Sequence, residues 1–173
     1  FDFMNVQDLH SIFLEFPSVS TDTRKIKKND IFFALKGDNF NGNTYAQQAI
    51  NNGASYVIID QKEYYINDKT ILVDDTLIML QKLANFHRNY CDAKVISLTG
   101  KTIATVGNLN NHIGVPLTLL SILPDTEIAI IEMGANHLKE IEFLCKIAEP
   151  DFGYITNFGK AHLEGFGGIE GVI

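Results

Sequence analysis

The sequence predicts an α/β fold with mostly parallel sheets: a small N-terminal α/β domain followed by part of a second, mostly parallel domain. Three observations predict it. Short β-prone runs alternate with helical stretches along the whole chain. Their spacing suits right-handed strand–helix–strand units, in which a crossover joins two parallel strands. One run, Glu127-Ile128-Ala129-Ile130-Ile131, is almost continuously apolar, the pattern of a strand at the centre of a parallel sheet covered on both faces.

The elements follow in order. Ile31 to Leu35 reads as a buried strand. Tyr45 to Asn52 reads as a helix closed by Gly53 just past its end. Ser55 to Ile59 and Thr70 to Val73 are the next strands. Thr76 to Tyr90 is an amphipathic helix, because Leu77, Leu80, Leu83, Ala84 and Phe86-His87 recur near the 3.6-residue period. Asp75 or Thr76 can cap its start. Lys94 to Leu98 opens a second α/β series, so the domain boundary is placed near Tyr90 to Lys94, giving domains 1–92 and 93–173. After the Glu127–Ile131 strand, Asn136 is expected to cap a helix running to about Ala148, with Leu138, Ile141, Leu144, Cys145 and Ala148 as its apolar positions. Pro150 bars its continuation. Gly153 to Thr156 is the last strand.

Composition narrows the function. The chain has 173 residues, 46% of them hydrophobic, and can bury a core. Fourteen Lys and Arg against 21 Asp and Glu give a net charge of −7, which lacks the basic footprint of a nucleic-acid binder. A phosphorylated ligand would have to be held by local backbone N–H groups and a few placed cations. Cys91 and Cys145 are too few for a disulfide framework and suit a reducing cytoplasm. No apolar run approaches the roughly 18 residues of a membrane span, and no secretion signal opens the sequence.

Four places can carry chemistry. Leu98-Thr99-Gly100-Lys101-Thr102 ends a strand in a Gly-Lys-Thr run, as a phosphate-binding loop does, but the Walker spacing of four residues before Gly-Lys is missing. A tight turn is the alternative. Asn108, Asn110 and Asn111 fall within Gly107 to Thr118, a loop suited either to polar ligand contacts or to capping a helix after Pro116. Glu132 stands at the carboxyl end of a buried strand and before a glycine turn, where open α/β sheets bind ligands. A carboxylate there suits a hard cation such as Mg²⁺, or it caps the next helix. His162 follows the next strand in chain order. If that strand neighbours the one ending at Glu132, both groups face one crevice; otherwise His162 is a surface or capping residue.

Gly107 to Leu120, Glu132-Met133-Gly134-Ala135-Asn136-His137 and Lys160 to Gly167 closely resemble the Mur ligase family. In the first half, Ser20-Thr21-Asp22-Thr23-Arg24, Ile31 to Gly37, Asn41-Gly42 and Gly53-Ala54 extend the resemblance over nearly the whole chain. The resemblance implies a three-domain enzyme: the first domain holds a UDP-sugar-peptide, the middle one binds ATP, and the last brings the amine. It implies amide formation through an acyl phosphate in cytoplasmic peptidoglycan precursor synthesis. UDP-N-acetylmuramoyl-tripeptide would be the acceptor and D-alanyl-D-alanine the amine. It also implies a monomer without nucleic-acid or membrane partners. By motif match Glu132 and His162 correspond to the Mg²⁺ ligands. Asn108, Asn110, Asn111 and His162 correspond to catalytic residues near the phosphates and the reacting carboxylate. Thr99, Gly100, Asn136 and His137 fall on the ATP side. Thr23, Arg24, Lys36, Gly37, Asn41 and Gly42 fall on the uridine-nucleotide side. Lys25, Lys27 and Lys28 read as a solvated loop.

The sequence departs from the family at its phosphate loop. Thr99-Gly100 match the start of that loop, but Lys101 to Thr105 match the strand beyond the helix that should follow. A parallel crossover needs about a dozen residues, so a phosphate loop and its helix are expected to be missing between Gly100 and Lys101. Either the molecule carries that segment and the string omits it, which is the expectation, or it is deleted and nucleotide binding with it. Lys101 is then not the catalytic lysine. The string also ends inside the middle domain, so it is expected to be part of a longer protein or an excised fragment, with an open sheet edge and exposed apolar surface. Asn41 and Asn43 replace an Asp and a His of the family, and Thr23 replaces a serine. Alternatives are another Mur-type or polyglutamate ligase, and a non-catalytic fragment that binds UDP-muramyl-peptide. A dinucleotide oxidoreductase is disfavoured because no Gly-x-Gly-x-x-Gly follows a strand.

Overall fold

Ile31 to Phe33, Tyr56 to Ile59 and Thr70 to Leu72 contain no charged side chain, and a sheet built from them is buried on both faces. In the computed structural model, which describes residues 3–99 and 108–155 (the backbone alone at Leu98 and Thr99), they form a four-stranded parallel sheet. Its strands are β1 (Val19–Ser20), β2 (Ile31–Phe33), β5 (Tyr56–Ile59) and β6 (Thr70–Leu72), in the order β1-β2-β5-β6. Phe32 pairs with Val57 and packs with Ile59, Ala34, Ala46, Ala49 and Ala54 on one face. The alternating residues Ile31, Phe33 and Ile58 are equally buried on the other. Helix α1 (Val6–Glu15) is capped by the Asn5 side chain, which accepts from the Asp8 N–H. A short antiparallel hairpin, β3 (Lys36–Gly37) with β4 (Phe40–Asn41), leads through a 3-10 turn into α2 (Ala46–Asn51).

The chain divides into two units, Phe1–Phe86 and His87–Ile173, and the division falls inside α3 (Thr76–Tyr90). Asp75 rather than Thr76 caps that helix: its Oδ1 accepts from the Ile78 N–H at 2.8 Å. Leu80, Leu83 and Ala84 are buried, as their spacing predicts.

The described part of the second unit is a three-stranded parallel sheet in the order β8-β7-β9, with β7 (Lys94–Thr99), β8 (Ile128–Met133) and β9 (Phe152–Ile155). Helix α4 (Gly114–Leu119) precedes β8, and α5 (Glu140–Ala148) links β8 to β9 across β7. Val95, Ala129, Ile131 and Met133 are buried beneath these helices' side of the sheet.

Four expectations are corrected. Among the described residues β8 lies at a sheet edge and β7 at the centre. The apolar run is half exposed, with Ile128 at 60% and Ile130 at 40%. Phe152 and Tyr154 are exposed too. The strands ending near Glu132 and before His162 are not neighbours, since β7 lies between them. Helix α4 begins at Gly114 and takes Pro116 into its first turn, where the missing N–H is not needed. Helix α5 begins at Glu140 and not at Asn136. Its N-cap Lys139 is left-handed (φ 68°), and Leu138, expected on the apolar face, is 56% exposed in the preceding bend.

Candidate functional site

In the first unit the hairpin residues Lys36 to Asn41 line an open pocket of about 410 Å³. Lys36 and Gly37, expected to meet the uridine nucleotide, are exposed there. Lys36 Nζ lies 2.9 Å from Oδ2 of Asp60, whose side chain is fully buried. Asn41 is turned inward: its Oδ1 accepts from the Asn43 backbone and side-chain N–H groups, and its Nδ2 donates to Gln61 Oε1 at 2.6 Å. Gly42 allows the backbone to pass so close to Leu35 that a Cβ would stand 2.3 Å from its carbonyl oxygen. Arg24 is extended into solvent but clamped in a bidentate pair with Asp22 (2.9 and 2.8 Å). That pair and the Arg24 backbone N–H pull the Asp22 carboxyl down to about 2. Thr23 is anchored through its carbonyl, which accepts from Asn52 Nδ2. Lys25, Lys27 and Lys28 are exposed, as a solvated loop should be.

In the second unit a cavity of about 530 Å³ opens at the carboxyl ends of the strands. Asn110, Asn111, His112, Gly134, Asn136 and Glu140 supply most of its polar lining. Asn110 joins two elements: its Nδ2 donates to Glu132 Oε1 at 3.0 Å, and its carbonyl accepts the Gly134 N–H at 2.9 Å. Asn111 Oδ1 accepts from the N–H groups of Ile113 and Gly114, satisfying donors at the start of α4. The Asn-rich loop thus caps α4, as one of its two readings expects, and it also joins Asn110 to Glu132. Asn108 sits at an exposed turn ahead of them.

Asn136 and His137 are held by Glu140. Its Oε2 accepts from both backbone N–H groups (2.5 and 3.0 Å), and its Oε1 lies 3.3 Å from His137 Nδ1. The Asn136 N–H contributes most to holding the Glu140 carboxyl below its ordinary range, against a smaller upward push from burial.

Glu132 is half-buried at the end of β8, with one oxygen fixed by the Asn110 amide. A single fixed carboxylate beside an open polar cavity fits Mg²⁺, which keeps several waters and takes one or two protein carboxylates together with substrate phosphates. Among the described residues no three His, Cys, Asp or Glu side chains cluster around a common point. His162, Gly100, Lys101, the side chain of Thr99 and the proposed junction between Gly100 and Lys101 lie outside what is described.

Two residues escaped the sequence reading. Asp60 follows an apolar strand directly, the same signal that singled out Glu132. Glu140 stands four residues after Asn136, within reach of a helix-entry loop.

Parallel strands whose carboxyl ends carry an acidic residue, an asparagine loop and a glycine turn define an α/β class with an open, mostly parallel sheet, in which ligands bind at the strand ends. The particular family follows from comparison. Residues 15–88 match the description "Mur ligase family, catalytic domain" and residues 88–173 match "Mur ligase middle domain". The chain belongs to the Mur ligase family. The UDP-N-acetylmuramoyl-tripeptide–D-alanyl-D-alanine ligase of Haemophilus influenzae is 36% identical over 178 residues, covering 90% of this chain and 39% of that protein. The crystal structure I of MurF from Acinetobacter baumannii superposes with a TM-score of 0.81 at 30% identity, over 99% of this chain and 44% of that one. The MurF ligase of Thermotoga maritima in complex with ADP gives 0.78 at 31% identity, over 92% of this chain and 42% of that one. The chain thus spans about two fifths of the length of the curated relatives it matches. Among the described residues no helix is long and apolar enough to cross a membrane.

Proposed function

We propose that these residues are the first domain and part of the second of an ATP-dependent ligase. It joins D-alanyl-D-alanine to UDP-N-acetylmuramoyl-tripeptide in cytoplasmic peptidoglycan precursor synthesis, and acts as a monomer. Residues 1–92 hold the UDP-sugar-peptide, and residues 93–173 form an incomplete ATP-binding domain. One observation carries the reading: relatives bearing that one activity in their names match 84–97% of this chain at 32–38% identity, through both units.

In the reaction a carboxylate oxygen of the tripeptide attacks the γ-phosphorus of ATP and ADP leaves. The dipeptide amine then attacks the acyl carbon, loses a proton, and phosphate leaves. The physical obstacle is the repulsion of carboxylate and phosphates in one site. Mg²⁺, held by Glu132 together with His162, would neutralise that charge when bound. Asn110 keeps the Glu132 carboxylate aimed. Asn108 and Asn111 offer amide groups to the phosphates and the reacting carboxylate. Asn136 and His137, fixed by Glu140, bound the nucleotide side with Thr99 and Gly100. Thr23, Arg24, Lys36, Gly37, Asn41 and Gly42 form the uridine side. For Arg24 to reach a diphosphate, it must leave Asp22.

The junction at Gly100-Lys101 favours a second reading, a non-catalytic fragment that binds UDP-muramyl-peptide without ATP turnover. Against it, the Haemophilus match is 178 residues long, whereas 90% of this chain is about 156 residues. Some twenty positions of the match therefore have no counterpart here, which supports an omitted loop and helix. Intact mass and turnover separate the two readings. The ligase predicts a native protein well above 19.3 kDa that releases phosphate from ATP only with the UDP-muramyl-tripeptide present. A native mass near 19.3 kDa with binding but no turnover supports the fragment.

A further inference from the structure

Asp60 gathers hydrogen bonds from three other residues, Lys36, Asn43 and Thr76. Its Oδ2 lies 2.9 Å from Lys36 Nζ and 3.3 Å from both the backbone N–H and the hydroxyl of Thr76. Its Oδ1 accepts from Asn43 Nδ2 at 2.9 Å, and its backbone N–H donates to Asn43 Oδ1 at 3.0 Å. Asn43 is fully buried and donates in turn to Asn41 Oδ1, at the end of the hairpin. The Thr76 hydroxyl has a single proton to give, and of its two acceptors the Ala34 carbonyl, just before the hairpin, is the nearer at 3.1 Å. Among the described residues, the one contact this buried carboxylate makes directly to the hairpin strands is the one to Lys36; Asn43 and Thr76 hold the carboxylate itself in place.

The Lys36 side chain is 43% exposed while Asp60 is fully buried. An ammonium has three N–H donors, and the contact with Asp60 takes one of them. The Lys36 head is thus pinned from below and open to the pocket above, where an anion can take the remaining donors. A lysine on a free four-carbon stem would lose far more rotamer freedom on binding the same anion.

We propose that Asp60 is a positioning residue of this site: it presents the Lys36 ammonium, already oriented, to the diphosphate of a nucleotide-sugar substrate. The inference rests on the reading of the first unit as the UDP-sugar-peptide site. Asp60 does not touch substrate; it sets affinity through Lys36.

The test uses the full-length protein. Calorimetric binding of UDP-N-acetylmuramoyl-tripeptide and steady-state kinetics are measured for wild type, Asp60→Asn, Asp60→Glu, Lys36→Met and the Asp60→Asn/Lys36→Met pair. Asp60→Asn is expected to weaken binding and raise KM for this substrate about tenfold or more, with kcat and KM for ATP within twofold of wild type. Asp60→Glu should recover part of that loss. The double variant should bind no more weakly than Lys36→Met alone, because Asp60 acts through Lys36. A merely structural Asp60 would lower the melting temperature and the active fraction, hence the apparent kcat, while leaving the affinity of the folded protein unchanged; that result overturns the proposal. Equal, additive losses in the double variant overturn it as well. A wild type that fails to bind the UDP-muramyl-tripeptide overturns the reading of the first unit itself, and Asp60's role with it.

Discussion

At Gly114 a side chain would begin 2.3 Å from the backbone of Leu109. This contact lets the asparagine loop fold back so that Asn111 caps α4 while Asn110 reaches Glu132. Gly114→Ala must push the loop away, and overpacking of this kind costs about 1–3 kcal/mol. The expected outcome is a lowered denaturation midpoint of the second unit, read by urea titration. His87 makes a different demand. It is 3% exposed, its Nε2 lies 2.8 Å from the Ile122 carbonyl, and Cys91 Sγ lies 3.3 Å from the same nitrogen. Burial pushes its pKa down, and the Ile122 carbonyl opposes this only in part. The unfolded chain therefore takes up the proton first as pH falls below about 6.5, and stability drops with it, by up to ~1.4 kcal/mol per pH unit for one such group. Melting temperatures measured from pH 7.5 down to 5.5 should fall, and His87→Gln should flatten that dependence. A slope unchanged by the substitution would assign the acid sensitivity elsewhere.

Elements were legible where one stripe and one cap decide them. Helix α3 is found at Thr76–Tyr90 as read, because Leu80, Leu83 and Ala84 recur at the helical period and Asp75 caps the start. The start of α5 was not legible. Asn136 is a good cap by residue type, but the Glu140 carboxylate binds the Asn136 and His137 N–H groups instead and leaves the intervening residues in a bend. The position of β8 in its sheet was not legible either, since an apolar run does not report which face is covered. At the site, Glu132 could be found as a carboxylate ending a strand, whereas its partnership with Asn110 depends on how the loop folds. The far end of α5 shows the same dependence on distant residues. Arg88, 12% exposed, donates to the carbonyls of Ala148 and Glu149 and pairs with Asp151 at 2.9 Å. Asp151 also accepts the Val95 N–H, which contributes most to holding its carboxyl below the ordinary range. Arg88→Ala leaves these carbonyls and the carboxylate short of donors. A loss of about 1–3 kcal/mol is expected in equilibrium unfolding, with faster amide exchange at the end of α5. An unchanged exchange rate there would show that the helix end is held by other contacts.

At the scale of the molecule, the proposed ligase reading assigns the two α/β units to one reaction. The first offers a pinned lysine beside an open hairpin pocket. The second offers a fixed carboxylate beside a polar cavity at the strand ends. The curated relatives are named as D-alanyl-D-alanine ligases, and a structure named as a 2,6-diaminopimelate ligase shares the fold with this chain at only 15% identity and a TM-score of 0.52. The central claim is therefore the identity of the amine. Its most direct test is phosphate release from ATP by the full-length protein with saturating UDP-N-acetylmuramoyl-tripeptide, comparing D-alanyl-D-alanine with diaminopimelate, lysine and glutamate. The account predicts release driven by the dipeptide and background rates with the single amino acids. Release driven by one of those amino acids, with the dipeptide inert, would contradict it.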